Sequence, residues 1–328
     1  MAGINRTQLV LGPGHLLFGG ATAGSGDAIT WTPTNTLFCK KIDAKVVTKW
    51  ENIEPAGYGR RSRRKVDETV VIKVTSAGGF NAAVMALLWP YGATAMGTSI
   101  FGATDTPIGI NSMAGKQLIF WNAAVTKMPS LYLGADKMLY GDFEITAIIR
   151  QGLARSDAMA LYSAADVAFS TLTMPKPTVA DFIRLPTVAT WAISSPETIQ
   201  AQKGWQIDFP MELDWRVSAD HGTFDARYQT GEVTAKCMPM NYGESRLADL
   251  KAQGTGADVG LDSRVQADLT LVQGEHSGGG LTLVLKNAAI DDVPMQYGDN
   301  LDRVPELTML ATRDFSTGYG ALFTLALT

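Results

Sequence analysis

Two stretches of this chain decide its fold, LIFWNAAVTKMP at residues 118–129 and LVLKNAAIDDVP at residues 283–294. Both carry Asn-Ala-Ala at the same place, both end in proline, and the second follows the first by 165 residues. Self-similarity at a fixed spacing is the signature of a repeated structural unit. The two stretches therefore predict that one unit is encoded twice.

Further matches lie in the same order on both sides of these stretches. KIDAKVVTKW (41–50) returns as QIDFPMELDW (206–215), which keeps the isoleucine, the aspartate and the tryptophan. Tyr132 recurs as Tyr297, and FEIT (143–146) is matched by PELT (305–308). We predict an internal duplication with a first domain at residues 1–165 and a second at residues 166–328. The proline-rich residues 175–186 are interpreted as a linker or as the start of the second copy.

Each copy is predicted to be rich in strands. Apolar and polar residues alternate at 42–50 and 68–74, which indicates two half-buried strands joined by a long hairpin connection at 51–66. Asn81 as a cap and Pro90 as a stop delimit one helix, and residues 242–254 offer a second helix at the same place in the second copy. Further strands are predicted at 116–125, 142–150, 281–290 and 306–313, which gives about four to six strands per copy.

The predicted fold class is therefore a β-dominated α+β protein, with two tandem copies of an antiparallel β-sandwich or open barrel and one flanking helix in each. The repeated Asn122 and Asn287 are interpreted as a corner of this fold, because asparagine tolerates special backbone angles and the alanines that follow permit close approach. A direct contact with a neighbouring subunit is the alternative.

The chain offers little that resembles catalytic or metal-binding chemistry. Cys39 and Cys237 lie far apart, and the three histidines are scattered, so no disulfide framework or metal-ligand spacing is present. His221, with Asp220 beside it and Asp225 nearby, is the one local concentration of triad-type groups, and we interpret it as a solvated turn. We therefore predict no enzyme activity, no catalytic residue, no cofactor and no metal.

Glycine-rich stretches and the amino end also argue against several functions. The loop at 109–117 resembles a phosphate loop, but glutamine stands where the Mg²⁺-binding serine or threonine is required. The apolar run at the amino end is broken by Gly-Pro-Gly and is too short for a membrane span, and it lacks the continuous apolar core of a secretory signal. We expect no association with a membrane.

The sequence GRRSRRK (59–65) places five positive charges within seven residues of a chain with a formal net charge of −4 and a pI of about 5.5. An acidic chain does not grip nucleic acid over its whole surface, so any such contact is local. This basic stretch leaves two interpretations open, a nucleic-acid contact and a protein contact.

The order of a long hairpin, a single helix and further strands that end in Glu-Ile-Thr-Ala or Glu-Leu-Thr-Met resembles the tail tube proteins of long-tailed (siphovirus-like) bacteriophages. The residues that carry the resemblance are 41–50, 67–74, 79–90 and 142–147 in the first half, and 206–215, 230–238, 242–254 and 306–311 in the second. The resemblance covers most of both copies through their architecture and not through a diagnostic motif.

The resemblance implies a structural virion protein whose rings stack into a hollow tube for DNA ejection. Because this chain carries the domain twice, we expect a ring of three chains with pseudo-sixfold symmetry. The implied partners are other copies of the chain, the tape-measure protein, the tail terminator, and double-stranded DNA that passes through without specific binding. The implied location is the virion tail, assembled in the host cytoplasm.

The resemblance also assigns the long loops at 51–65 and 216–229 to contact with the adjacent ring. The predicted inter-ring residues are Arg60, Arg61, Arg63, Arg64, Lys65, Asp220 and Asp225. Arginine is suited to such a contact because its guanidinium binds carboxylates in a bidentate manner. Two alternatives remain, a single-ring or trimeric baseplate or decoration protein on the same fold, and a nucleic-acid-binding module that uses residues 60–65.

Overall fold

A computed structural model of this chain describes residues 9–19, 31–53, 62–77, 82–101, 106–112, 117–134, 140–149, 159–162, 184–193, 196–218, 222–240, 266–275, 280–292, 306–313 and 320–327. Antiparallel strands dominate these residues, which confirms the β-dominated class. The strands up to residue 165 are β1 (Leu9–Phe18), β2 (Thr36–Ile53), β3 (Ser62–Ser76), β4 (Ile108–Ser112), β5 (Gln117–Phe120), β6 (Ala123–Lys127), β7 (Leu131–Leu133), β8 (Phe143–Ile148) and β9 (Met159–Tyr162).

The remaining strands of the described chain are β10 (Arg184–Trp191), β11 (Glu197–Ile199), β12 (Ala201–Asp208), β13 (Met211–Ser218), β14 (Gly222–Gly231), β15 (Val233–Pro239), β16 (Ala267–Glu275), β17 (Gly280–Asp292), β18 (Leu307–Ala311) and β19 (Phe323–Leu327). The expectation of four to six strands per copy is wrong, since nine and ten strands are described. Short strands such as β7 and β11 have too few residues to give an alternating pattern.

The first sheet has the strand order β6-β8-β3-β2-β1-β4-β5-β9. Its interior face is set by the predicted alternation, because Val70, Ile72 and Val74 of β3 are buried while residues between them are less so. Strands β5 and β6 follow each other along the chain, yet they pair at opposite ends of this order. The sheet therefore curves around its core.

The bend between β5 and β6 lies at the predicted Asn-Ala-Ala corner. Asn122 is buried, and its carbonyl accepts the amide of Ile148 at 2.9 Å. The prediction of one continuous strand at 116–125 is wrong, because Trp121 and Asn122 interrupt it. The interruption turns the chain from β4 and β9 on one side to β8 on the other.

The second sheet has the order β11-β10-β16-β17-β18-β15-β12-β7, with β19 also paired to β17. Strand β17 pairs with β19 through residues 281–285 and with β18 through residues 289–292. Asn287 stands between these segments with a φ of 44°, the left-handed region in which asparagine is among the few tolerated residues. The predicted special backbone angle is confirmed at Asn287.

The two halves of the chain share strands and a core. β7 belongs to the first half but pairs with β12 of the second, through Tyr132 opposite Gln206. A two-stranded sheet, β13–β14, packs against the first half through the cluster of Phe101, Ile148 and Ala226. One continuous hydrophobic cluster contains buried residues of both halves.

The described residues contain one short 3-10 helix, Pro33–Asn35, and one α-helix, α1 (Ala82–Leu88), which lies where the sequence predicts a helix and ends just before Pro90. Val84 and Leu88 are fully buried, and α1 packs against β19 of the second half. Just after the helix, the Trp89 indole donates to the carbonyl of Pro129 at 3.0 Å. The predicted helix at 242–254 lies outside the described residues.

Several predicted boundaries are corrected by the strands. The hairpin connection predicted at 51–66 is strand at both of its ends, since β2 continues to Ile53 and β3 begins at Ser62, while residues 54–61 lie outside the described residues. The stretch 206–215, which matches the strand residues 41–50 in sequence, contains the end of one strand and the start of another, because Phe209 and Pro210 separate β12 from β13. Residues 184–186 of the predicted linker belong to β10, while residues 175–183 lie outside the described residues.

Replacing Gly204 with alanine tests how closely β7 and β12 approach each other. The stability loss must be compared with the loss that backbone strain alone would cause. Gly204 has a φ of +79°, and a Cβ there would lie 2.2 Å from the carbonyl oxygen of Leu133 and 2.5 Å from Cα of Gly134. Gly97 is a matched control, because it has the same φ of +79° with open space around it.

We expect Gly97→Ala to cost about 1 kcal/mol of unfolding free energy, from the strained backbone alone. Gly204→Ala should cost at least about 2 kcal/mol more, because the backbone of β7 must also move. Urea denaturation of both variants measures the difference. Equal losses would show that β7 does not press on β12.

Candidate functional site

Three of the five basic residues predicted to form a loop lie instead on a strand. Arg63, Arg64 and Lys65 belong to β3, where their backbones pair with β2, while Arg60 and Arg61 lie outside the described residues. The loop prediction failed because the alternating apolar pattern of β3 begins only after these residues. Strand pairing here continues into polar sequence.

Two of these cations are already paired within the chain. The Arg64 Nε donates to Oε2 of Glu51, its cross-strand neighbour, at 2.5 Å. The Lys65 ammonium lies 3.2 Å from Oε2 of Glu68, whose side chain is almost entirely buried. Arg63 is exposed on the same strand. The hairpin therefore presents less unpaired positive charge than its sequence indicates.

The acidic loop predicted at 216–229, the counterpart of the basic stretch in the second half, also differs from the structure. Asp225 lies in β14 and is only 9% exposed, so its assignment to a solvated turn or loop is wrong. Its Oδ1 accepts hydrogen bonds from the Ser99 hydroxyl and, at 2.8 Å, from the amide of Ala226. The loop predicted at 216–229 is mostly strand, and Asp220 and His221 lie outside the described residues.

Asp225 is part of a junction between the halves. Residues 97–100 of the first half run antiparallel along the edge of β14, with Gly97 donating to the Tyr228 carbonyl at 2.7 Å and Ile100 donating to the Ala226 carbonyl at 2.9 Å. The amide of Tyr228 donates back to Thr98 at 3.0 Å. These residues extend the two-stranded sheet with a segment from the other half.

Aromatic side chains fill the space beneath this junction. The rings of Tyr91 and Tyr228 stack with centroids 5.5 Å apart and planes 15° apart. The guanidinium of Arg313 lies 5.6 Å from the Tyr228 ring centroid, and Phe101 contacts Trp215 at 6.1 Å. Because these partners come from three separate parts of the chain, the junction fixes both halves in one orientation.

The two hairpins meet at Asp67, which lies within β3. The Thr223 amide and hydroxyl donate to the two oxygens of its carboxylate at 3.0 and 2.8 Å. Gly222 has a φ of +68° and sits against the carbonyl of Val66, where a side chain would collide. A cleft of about 290 Å³ opens beside this contact, lined by Trp50, Val217 and neighbouring residues of both hairpins.

The sequence could not single out the residues that join the two halves. Ser99 and Asp225 are 126 positions apart, and Asp67 and Thr223 are 156 positions apart. Contacts of this separation leave no local pattern in composition or periodicity. The recurrence of Trp50 as Trp215 indicated that the two tryptophans occupy equivalent positions in the repeat, but it did not indicate that their side chains are exposed.

The titratable groups with the clearest shifts are buried and neutral. Burial raises the pKa of the Cys39 and Cys237 thiols, and both cysteines are free. Burial likewise raises the pKa of the Tyr91 and Tyr140 phenols. No group of three or more histidine, cysteine, aspartate or glutamate side chains converges among the described residues. These groups stabilise the fold as uncharged side chains.

Comparison with known proteins adds no family. Models of known protein families do not match this chain, and the curated proteins contain no sequence with significant similarity to it. In the part of the chain that the structure describes, no helix has the length and apolar character needed to cross a membrane.

The buried thiols and phenols predict a loss of stability at high pH. Their ordinary pKa values are 9.0 and 10.0, and burial raises all four. Above pH 9 the unfolded chain releases protons that the native chain retains, so unfolding becomes more favourable as pH rises. The slope is about 1 kcal/mol per pH unit for each ionising group until its native pKa is reached.

Urea unfolding between pH 7 and 11 measures this loss. Tyr91→Phe is the matched variant, because it removes one titrating phenol and should make the fall above pH 10 shallower by about 1 kcal/mol per pH unit. A profile that stays flat to pH 11 would contradict the burial of these groups.

Proposed function

We propose that this chain is a structural subunit of a bacteriophage tail tube, in which rings stack into a conduit for DNA. The observation that carries the proposal is the contact between the two halves, in which β7 and residues 97–100 of the first half add to strand edges of the second. The two contacting surfaces differ, so the contact is heterologous. A heterologous contact between repeated domains closes into a ring when the rotation permits.

We further propose that the halves are two copies of one domain, at residues 1–165 and 166–328. Support comes from strand pairing, since the order β1-β4-β5-β9 has a counterpart in β10-β16-β17-β19. Likewise, β2-β3-β8-β6 has a counterpart in β12-β15-β18 and the last part of β17. Asn122 and Asn287 stand at the corresponding bends. In this proposal the flanking helix of each copy is α1 and residues 242–254.

The cross-strand register supports the same correspondence. In the first half, the repeated Ile42 and Trp50 lie opposite Val74 and Lys65. In the second half, Ile207 and Trp215 lie opposite Ala235 and Ala226, so the opposing residues have the same spacing in both halves. Three chains with two such domains each would form a pseudo-sixfold ring. Ring closure would also cover strand edges that otherwise promote uncontrolled association.

A conduit for DNA must not bind phosphate tightly, because each wall cation that neutralises a phosphate adds affinity. Two exposed lysines of the first sheet are paired with carboxylates, Lys41 with Asp43 at 2.5 Å and Lys73 with Glu144 at 3.2 Å. Together with the net charge of −4, this pairing favours passage of DNA over binding. The tape-measure protein and the tail terminator are the further partners of this proposal, and the virion tail is its location.

Negative-stain electron microscopy of the purified full chain tests the proposal. We expect hollow tubes, or rings that stack as concentration rises. Single rings or discrete trimers at every concentration would favour the baseplate or decoration protein. A monomer that binds DNA in a salt-dependent manner would favour the nucleic-acid-binding module.

The β2–β3 hairpin with its basic residues 60–65, called the basic hairpin here, is proposed to contact the adjacent ring. Reversing Arg60, Arg61, Arg63 and Arg64 to glutamate should leave rings intact and abolish long tubes, because these side chains would then repel the acidic surface they are proposed to meet. Tube length in micrographs is the measurement.

A control variant reverses the same number of charges away from the basic hairpin tip, at the exposed residues Lys40, Lys45, Lys127 and Lys203. It changes the net charge equally, so its tubes should keep their length if position matters and net charge does not. Tubes of normal length in the arginine variant would rule out this role for the basic hairpin.

A further inference from the structure

The cleft between the two hairpins carries apolar side chains that the chain itself leaves in contact with water. Trp50 is 55% exposed and Val217 is 61% exposed, and both line the cleft. Aromatic side chains that are exposed on an ordered surface are typical of protein contact sites, since they bury a large area with little loss of conformational entropy.

The second half of the same chain provides a template for what covers such a tryptophan. Trp215, the counterpart of Trp50 in the repeat, contacts Phe101 of the other half at a centroid distance of 6.1 Å and is 39% exposed. Phe101 directly follows residues 97–100, which hydrogen-bond along β14. In the second hairpin, therefore, an aromatic side chain from a preceding domain packs on the tryptophan.

We infer that the cleft at Trp50 and Val217 receives an apolar or aromatic side chain from a second copy of this chain. The inference rests on the proposed function and specifies its contact surface. The occupant is a second copy because the equivalent tryptophan is covered by the other half of this same chain. A repeated domain presents the same surfaces each time it recurs.

The cleft is held open by contacts that do not involve the exposed side chains. Thr223 fixes the carboxylate of Asp67 on one side, and the Arg64–Glu51 ion pair satisfies the charges on the other. A preformed surface loses little conformational freedom when a partner binds. Because the Asp67 and Glu51 carboxylates already have partners within the chain, the apolar side chains remain to provide the attraction.

The experiment compares self-assembly of the full chain with that of Trp50→Ser and Val217→Ser. Val188→Ser is the matched control, because Val188 is 53% exposed on β10 and does not line the cleft. Sedimentation velocity over a concentration series gives the concentration of half-assembly. We expect it to rise at least tenfold in both cleft variants and to stay within twofold of the wild type in Val188→Ser.

Hydroxyl-radical footprinting of the wild type is a second measurement, and it holds even if a cleft variant fails to fold. Trp50 should be oxidised at low concentration and protected in the assembled state. Unchanged assembly of both cleft variants, or a Trp50 that stays reactive in rings and tubes, would overturn the inference and leave the proposed function standing. A wild-type chain that forms neither rings nor tubes would overturn the proposed function itself, and this inference with it.

Discussion

The fold depends on a bend at each of two asparagines, Asn122 and Asn287. At each bend a continuous stretch of chain pairs with one group of strands before the asparagine and with another group after it. At Asn287 the backbone enters the left-handed region, and the backbone N–H of this residue donates to Asp268 Oδ1 at 3.3 Å. The carbonyl of Ala288 then accepts the Trp191 indole at 3.0 Å. Without this bend, β17 could not pair with both β19 and β18, and the sheet would not enclose its core.

The bends have a second effect, because they direct the chain toward the other half. After the bend at Asn122, β6 leads directly into β7, which pairs with β12. Ser130, between them, donates to Asp208 Oδ1 at 2.6 Å. The curvature of the first sheet and its contact with the second half are therefore consequences of the same turn. This explains why one hydrophobic cluster runs through both halves.

The sequence predicted what local patterns encode. Neighbouring residues were sufficient to predict the alternation in β3, the helix α1 before Pro90 and the bend at Asn287. The ends of the hairpin strands were not, because Arg63 and Arg64 are polar on both faces of a strand that projects beyond the core. The burial of Asp225 was also hidden, since Ser99 approaches it from a distant part of the chain. Charge in sequence indicates where an ion pair can form and not whether its partner is already present.

The pairing of β7 with β12 also bears on how the chain is made. During synthesis, β7 and α1 leave the ribosome before their partners β12 and β19 have been made. Until then the first half has an unpaired strand edge and an uncovered apolar helix face. Open edges and apolar faces attract other unfinished chains. Because the partners follow on the same polypeptide, their effective concentration is high once they emerge. Joining both halves in one chain therefore favours the correct partner at the moment when a wrong one is most available.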